Sequence, residues 1–301
     1  EMFASASAPF AVLGIDQVQH GPRRGDSDAS PNDLFFNFAN PAAAKYNPLQ
    51  GAADQLSLVR LAANLTLDSQ GSPTGAEVRF NPEGIMFWGH SQGATHGSIA
   101  IPYAHSVDAV VLSGNGASLR DSLITKTSPV NIAAAMPLVL LDFNASFDLP
   151  GGGHHPVLSL LQTWIDPADP LNYAKLMAAA PPTDNTVRHV FQPFGQGDTY
   201  STARTQLTYV VAADMGRVED DASVSFANPE DDKEMGGLKV GSTNAGNLFV
   251  NGSPVTALTR RYGTDGYDGH FVAFRNEAAR EDIVRFLTQA LTGSEAPQVG
   301  P

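Results

Sequence analysis

The chain has 301 residues, 42% of them hydrophobic and 16% charged, with 31 acidic against 18 basic side chains for a net charge of −13. That length buries roughly three quarters of the unfolded surface, enough for one large core, and the acidic balance disfavours a nucleic-acid partner, whose phosphates require a basic face. Cysteine is absent, which removes disulfides, thiolate ligands and cysteine nucleophiles, and no apolar run approaches the roughly 18 residues that span a bilayer.

Short apolar runs alternate with helical patterns, the signature of a parallel sheet with helices on its faces. A first strand is predicted over Ala11–Ile15, followed by a turn at His20-Gly21-Pro22-Arg23 and a helix over Gly51–Leu65. A strand over Ile85–Trp88 then leads into Gly89-His90-Ser91-Gln92-Gly93 and a small-residue helix over Ala94–Ile101. This is the strand-turn-helix setting of a nucleophile elbow. A serine on such a turn takes strained backbone, and side chains two positions away would collide with it, so glycine is expected at 89 and 93. Ser91 would stand at a helix N-terminus, where the dipole and free N–H groups favour developing negative charge and the Gln92 N–H becomes an oxyanion donor. The competing reading is a glycine-flanked serine in an ordinary turn.

Further strands are predicted over Ala109–Leu112, His189–Phe191 and Val255–Tyr262, and helices over Thr202–Ala213 and Glu277–Leu291. The last carries Ile283, Phe286, Leu287 and Leu291 at helical spacing and should pack on the sheet. Residues 131–182 form an apolar insertion containing Gly151-Gly152-Gly153, either a helical cap over the site or an ordinary set of packing elements. Residues 215–254 read as a polar surface excursion whose acidic runs, Glu219-Asp220-Asp221 and Glu230-Asp231-Asp232, are solvated loops and not a metal site. Residues 293–301 are expected to fray. The glycosylation triplets at Asn64, Asn144 and Asn251 are short enough to arise by chance.

A serine hydroxyl needs an imidazole to take its proton and a carboxylate to orient that imidazole. His270, in the turn Gly266-Tyr267-Asp268-Gly269-His270-Phe271 before the C-terminal helix, is the chosen base; His154, His155 and His189 are packed or surface imidazoles by comparison. His20 and His90 precede Ser91, and His96 and His105 follow it too soon to leave room for an acid-bearing strand. For the acid, Asp198 in Gly195-Gln196-Gly197-Asp198-Thr199 falls on a loop between a strand and a helix, where it could equally be a cap or turn residue. Asp166 and Asp169 are the runners-up; Asp265 and Asp268 lie too near His270 in sequence to be preferred.

With these pieces in place the chain resembles the α/β-hydrolase superfamily, esterase- or lipase-like, from Phe10 to about Leu291. The resemblance implies a doubly wound, mostly parallel sheet, with Ser91 as nucleophile, Asp198 as acid, His270 as base and Gln92 in the oxyanion hole. It implies an ester hydrolase working through an acyl-enzyme on a small-molecule ester with a hydrophobic portion, and no metal or organic cofactor. An amidase or peptidase of the same fold and a catalytically silent binding domain are the alternatives. Val12-Leu13-Gly14-Ile15-Asp16 looks like the family's fourth strand, which would put the first three strands upstream of Glu1, on an N-terminal segment or a separate chain that completes the sheet and brings the second oxyanion donor. In the other arrangement His20-Gly21 is itself the oxyanion loop; the first is the expectation taken here.

Overall fold

The computed structural model describes residues 2–37, 40–142, 155–183, 187–218, 238, 243–293 and 295–301. Its strands are β1 (Thr66–Leu67), β2 (Val78–Arg79), β3 (Ile85–His90), β4 (Val107–Ser113), β5 (His189–Gly195), β6 (Gly216–Arg217), β7 (Leu248–Val250), β8 (Ser253–Val255) and β9 (Ala257–Tyr262). Five of them build a parallel sheet in the order β3-β4-β5-β9-β6. The other four make two antiparallel pairs, β1 with β2 and β7 with β8.

The described helices are α1 (Pro31–Phe35), α2 (Pro41–Asn64), α3 (Gln92–Ala100), α4 (Leu119–Thr125), α5 (Ile132–Val139), α6 (Pro156–Ile165), α7 (Ala174–Met177), α8 (Ala203–Ala212), α9 (Val272–Arg275) and α10 (Glu277–Thr292). They cover both faces of the sheet, as the alternation of side chains along β4 requires. Val110 and Leu112 join a core with Ala94 of α3 and Tyr209 and Val210 of α8. Ala109 and Val111 face the other way and join Ile283, Phe286 and Leu287 of α10. The chain is thus α/β, a central parallel sheet flanked by helices. Among the described residues no helix is long and apolar enough to cross a membrane.

Within 131–182, α5 and α6 pack with α4 around Leu123, Ile124, Met136, Leu140 and Leu158, a small core apart from the two on the sheet. Gly151, Gly152, Gly153 and His154 lie outside the described residues.

Five sequence expectations need correction. Residues 11–15 form no strand, and Val12 is 82% exposed. Strand-forming side chains make a strand only where a neighbouring backbone answers their N–H and C=O groups, and among the described residues no strand pairs with this run. The helix expected from Gly51 starts instead at Pro41, capped by the Asn40 side chain accepting from the Ala43 N–H. Pro48 lies inside it, so a proline that should have ended the helix is accommodated.

The run 255–262 is two strands split at Thr256, because β8 turns back to pair with β7 while β9 enters the sheet. Residues 215–218 are core and not surface: Met215 and Val218 are buried, and β6 pairs with β9. Both acidic runs of that region lie outside the described residues. The tail expected to fray packs back, with Val299 fully buried, its N–H donating to the Asn244 carbonyl at 2.8 Å.

Candidate active site

Ser91 follows β3 and caps α3 with φ 54° and ψ −119°, a conformation that costs a side-chain-bearing residue about 1–3 kcal/mol. Two backbone bonds hold it there. Its N–H donates to the Ser113 carbonyl at the end of β4 at 2.9 Å, and its carbonyl accepts the Thr95 N–H at 3.1 Å. Its hydroxyl does not cap the helix, which leaves Oγ available. Gln92 opens α3, so its N–H belongs to the first turn, where no intrahelical acceptor exists.

Of the two flanking glycines, only Gly89 is required by space. A side chain at Gly89 would strike the Gly93 carbonyl at 2.7 Å and the Ala94 Cα at 2.8 Å, whereas one at Gly93 would meet nothing within 4 Å. The second close approach is one helical turn further on, at Gly97, where a Cβ would run into the Phe87 ring.

Asp198 and His270 are both buried, and they meet: His270 Nδ1 lies 3.1 and 3.0 Å from the two Asp198 carboxylate oxygens. Asp198 Oδ1 also accepts the N–H groups of Tyr200 and Ser201, at 2.9 and 2.7 Å, and Oδ2 accepts from Gln206 Nε2 at 3.0 Å. A carboxylate placed against Nδ1 in this way orients the ring and directs the Nδ1–H toward Asp198, which leaves Nε2 as the acceptor.

The loops carrying the two residues also touch backbone to backbone. A Cβ at Gly195 would fall 2.0 Å from the Gly269 carbonyl oxygen, and one at Gly269 would fall 2.3 Å from the Gln196 carbonyl oxygen. Asp268 then fastens them, accepting the Thr199 hydroxyl at 2.5 Å, the Thr199 N–H at 3.3 Å and the His270 N–H at 2.9 Å.

Ser91 and His270 each border the end of β4. Gly114 follows Ser113, the acceptor of the Ser91 N–H, and a side chain on Gly114 would press on the His270 ring, 2.6 Å from Cε1, and on His90 at 3.3 Å. The His90 ring centroid lies 4.7 Å from that of His270. Among the described residues no hydrogen bond joins Ser91 Oγ to His270; such contacts commonly tighten only when substrate is bound.

The remaining candidates have other work. Asp169 is fully buried and accepts the N–H groups of Ser118, Leu119 and Leu171 and the Gln162 amide, at 2.7–3.0 Å, fastening the start of α4. Asp166 takes the other Gln162 contact at 2.7 Å. Asp265 and His105 are exposed. His155 caps α6, and His189 Nδ1 accepts the Thr256 N–H at 3.1 Å. The His20 turn packs against Phe35, which in turn packs against His96 of α3.

Sequence reading missed four participants. His90, set aside for its position in the chain, lies against His270, and its Nδ1 is 2.9 Å from Ser113 Oγ. Burial and the neighbouring His270 push its pKa down to about 3, so it is a neutral ring there. Tyr200 stacks on His270 with centroids 4.5 Å apart and planes 12° from parallel. Gln206 donates to Asp198, and Asp268 accepts the His270 N–H. Lys126, at the end of α4, is held below its usual pKa by burial, opposed by the Asp198 charge.

Among the described residues no three His, Asp or Glu side chains gather as a metal site. Compared with protein-family models, curated proteins and solved structures, the chain matches none.

Proposed function

We propose that this chain is a serine hydrolase of the α/β-hydrolase kind, cleaving carboxylic esters through an acyl-enzyme. The observation that carries the reading is the buried Asp198–His270 pair, set at the same end of the sheet as a serine held at positive φ. Their order along the chain, Ser91 after β3, Asp198 after β5 and His270 after β9, supports it, because parallel strands deliver all three loops to one edge.

In this reading Ser91 Oγ attacks the ester carbonyl while its proton passes to His270 Nε2, and Asp198 stabilises the resulting imidazolium. The Gln92 N–H, at the start of α3, holds the oxyanion of the tetrahedral intermediate. Collapse breaks the acyl–oxygen bond, and His270 returns the proton to the departing alcohol. Water then attacks the acyl-serine, giving its proton to His270, and the acid leaves as Ser91 is reprotonated. The apolar α5–α6 region, with Leu138, Leu141 and Leu160 exposed, favours an ester with a hydrophobic portion.

The test is turnover of p-nitrophenyl esters of graded acyl length beside the matching anilides. Ester turnover that vanishes in Ser91→Ala supports the reading. Preferential anilide turnover replaces it with an amidase, and inertness of the wild-type protein to both contradicts it.

A further inference from the structure

A carboxylate that orients an imidazole must itself be held, and one of the side chains holding Asp198 stands at the end of a chain of buried amides. Gln206 of α8 is fully buried, and its Nε2 donates both to Asp198 Oδ2 at 3.0 Å and to the Ser201 carbonyl at 2.7 Å. Behind it, Gln192 Nε2 donates to the Gln206 carbonyl at 3.4 Å, Asn115 Nδ2 to Gln192 Oε1 at 3.3 Å, and Ser98 Oγ to Asn115 Oδ1 at 3.4 Å. All four side chains are fully buried. Polar side chains in such a place cost stability unless paired, and Gln206 Oε1 has no partner among the described residues. An apolar side chain would pack there without that cost, and what the amide supplies in its place is a donor aimed at Asp198.

We propose that Gln206 is a positioning residue for the Asp198–His270 pair, fixing the plane of the carboxylate and keeping its charge localised opposite His270 Nδ1. The inference rests on the catalytic reading above for its effect on turnover, but the geometry it describes belongs to the pair itself. Without the Gln206 donor, Asp198 Oδ2 keeps only His270 as partner, the carboxylate becomes more basic, and the pair holds its proton to higher pH. The charged and titratable groups facing the pair are His90 from β3, Tyr200 from the acid loop, Asp268 from the base loop and Lys126 from the end of α4. None of these is altered by a change at Gln206.

The experiment is Gln206→Met, which keeps length and removes the donor, read by the NMR titration of the His270 ring and by ester kinetics. The titration midpoint should rise by about one pH unit, with kcat about tenfold lower and KM unchanged. A merely structural glutamine would lower the melting temperature and leave the midpoint where it was, which would overturn the proposal. Should the variant not fold, the wild-type Gln206 side-chain amide decides: its proton resonances must follow the His270 titration, and a flat response overturns the inference. A shifted midpoint in a protein without ester turnover supports the positioning role while removing the hydrolase reading. Turnover with an unshifted midpoint does the reverse.

Discussion

Asp268 ties the His270 loop to the Asp198 loop by accepting the Thr199 hydroxyl at 2.5 Å while it also accepts the His270 N–H at 2.9 Å. It sits in a DG turn ahead of His270 and no hydrogen bond joins it to the imidazole nitrogens among the described residues, so its effect is on where His270 stands. Asp268→Ala leaves the Thr199 hydroxyl and two N–H groups without their acceptor. It should lower stability by about 1–3 kcal/mol and ester turnover by about ten- to a hundredfold, measured by urea unfolding and initial rates. Wild-type values of both would show that the two loops are held by something else.

The backbone contact between those loops makes a sharper prediction. Gly195→Ala and Gly269→Ala each drive a methyl group into a carbonyl oxygen, at 2.0 and 2.3 Å, and the backbone cannot step aside as a side-chain tip would. Both should lose most activity together with stability, on the order of 1–3 kcal/mol for overpacking. Gly93→Ala points into open space and should keep wild-type activity, although Gly93 is the second glycine of the elbow. An inactive Gly93→Ala beside an active Gly195→Ala would reverse the account of which glycines the site requires.

Ser91 stores strain that a glycine would not. At φ 54° the backbone conformation is open to glycine at little cost, so Ser91→Gly should stabilise the fold by about 1 kcal/mol while abolishing turnover. Ser91→Ala keeps the strain and should melt near the wild type. Thermal unfolding of the three proteins side by side checks this, and a Ser91→Gly variant less stable than Ser91→Ala would contradict it.

Three histidines set a pH dependence of stability. Burial lowers the pKa of His90 to about 3 and of His96 and His189 to about 4, from an ordinary 6.5. Between those values the unfolded chain binds more protons than the folded one, so stability is full above the unfolded value and is lost as pH falls toward the folded ones. His96 is the clearest case: its ring lies against Gly51 and Phe35, and neither nitrogen has a hydrogen-bond partner among the described residues. His96→Leu should therefore flatten the decline in urea stability between about pH 6.5 and about pH 4. An unchanged slope would place the acid sensitivity elsewhere.

Much of this was legible in the sequence, for identifiable reasons. The strand before Ser91 and the amphipathic C-terminal helix announce themselves by local pattern, and Asp198 and His270 by lying between a strand and a helix. Residues 11–15 misled because strand propensity is silent about whether a partner strand is there to pair with. The roles of His90, Tyr200, Gln206 and Asp268 were hidden for a related reason. His90, Tyr200 and Asp268 act through contacts between segments distant in the chain, and the His90–His270 contact exists only once β3, β4, β5 and β9 are laid side by side, whereas Gln206 reaches back from α8 to Asp198, eight residues earlier, with no local motif to mark the turn between them. Gly195 and Gly269 were visible as turn residues, but that they face one another was not.

The central claim is that Ser91 is activated by His270 and Asp198, and phosphonylation measures this without assuming a substrate. Treatment with a fluorophosphonate followed by peptide mass spectrometry should place one adduct on Ser91, formed at least about a hundredfold more slowly in His270→Ala. No adduct on Ser91, or an adduct formed equally fast without His270, would contradict the account.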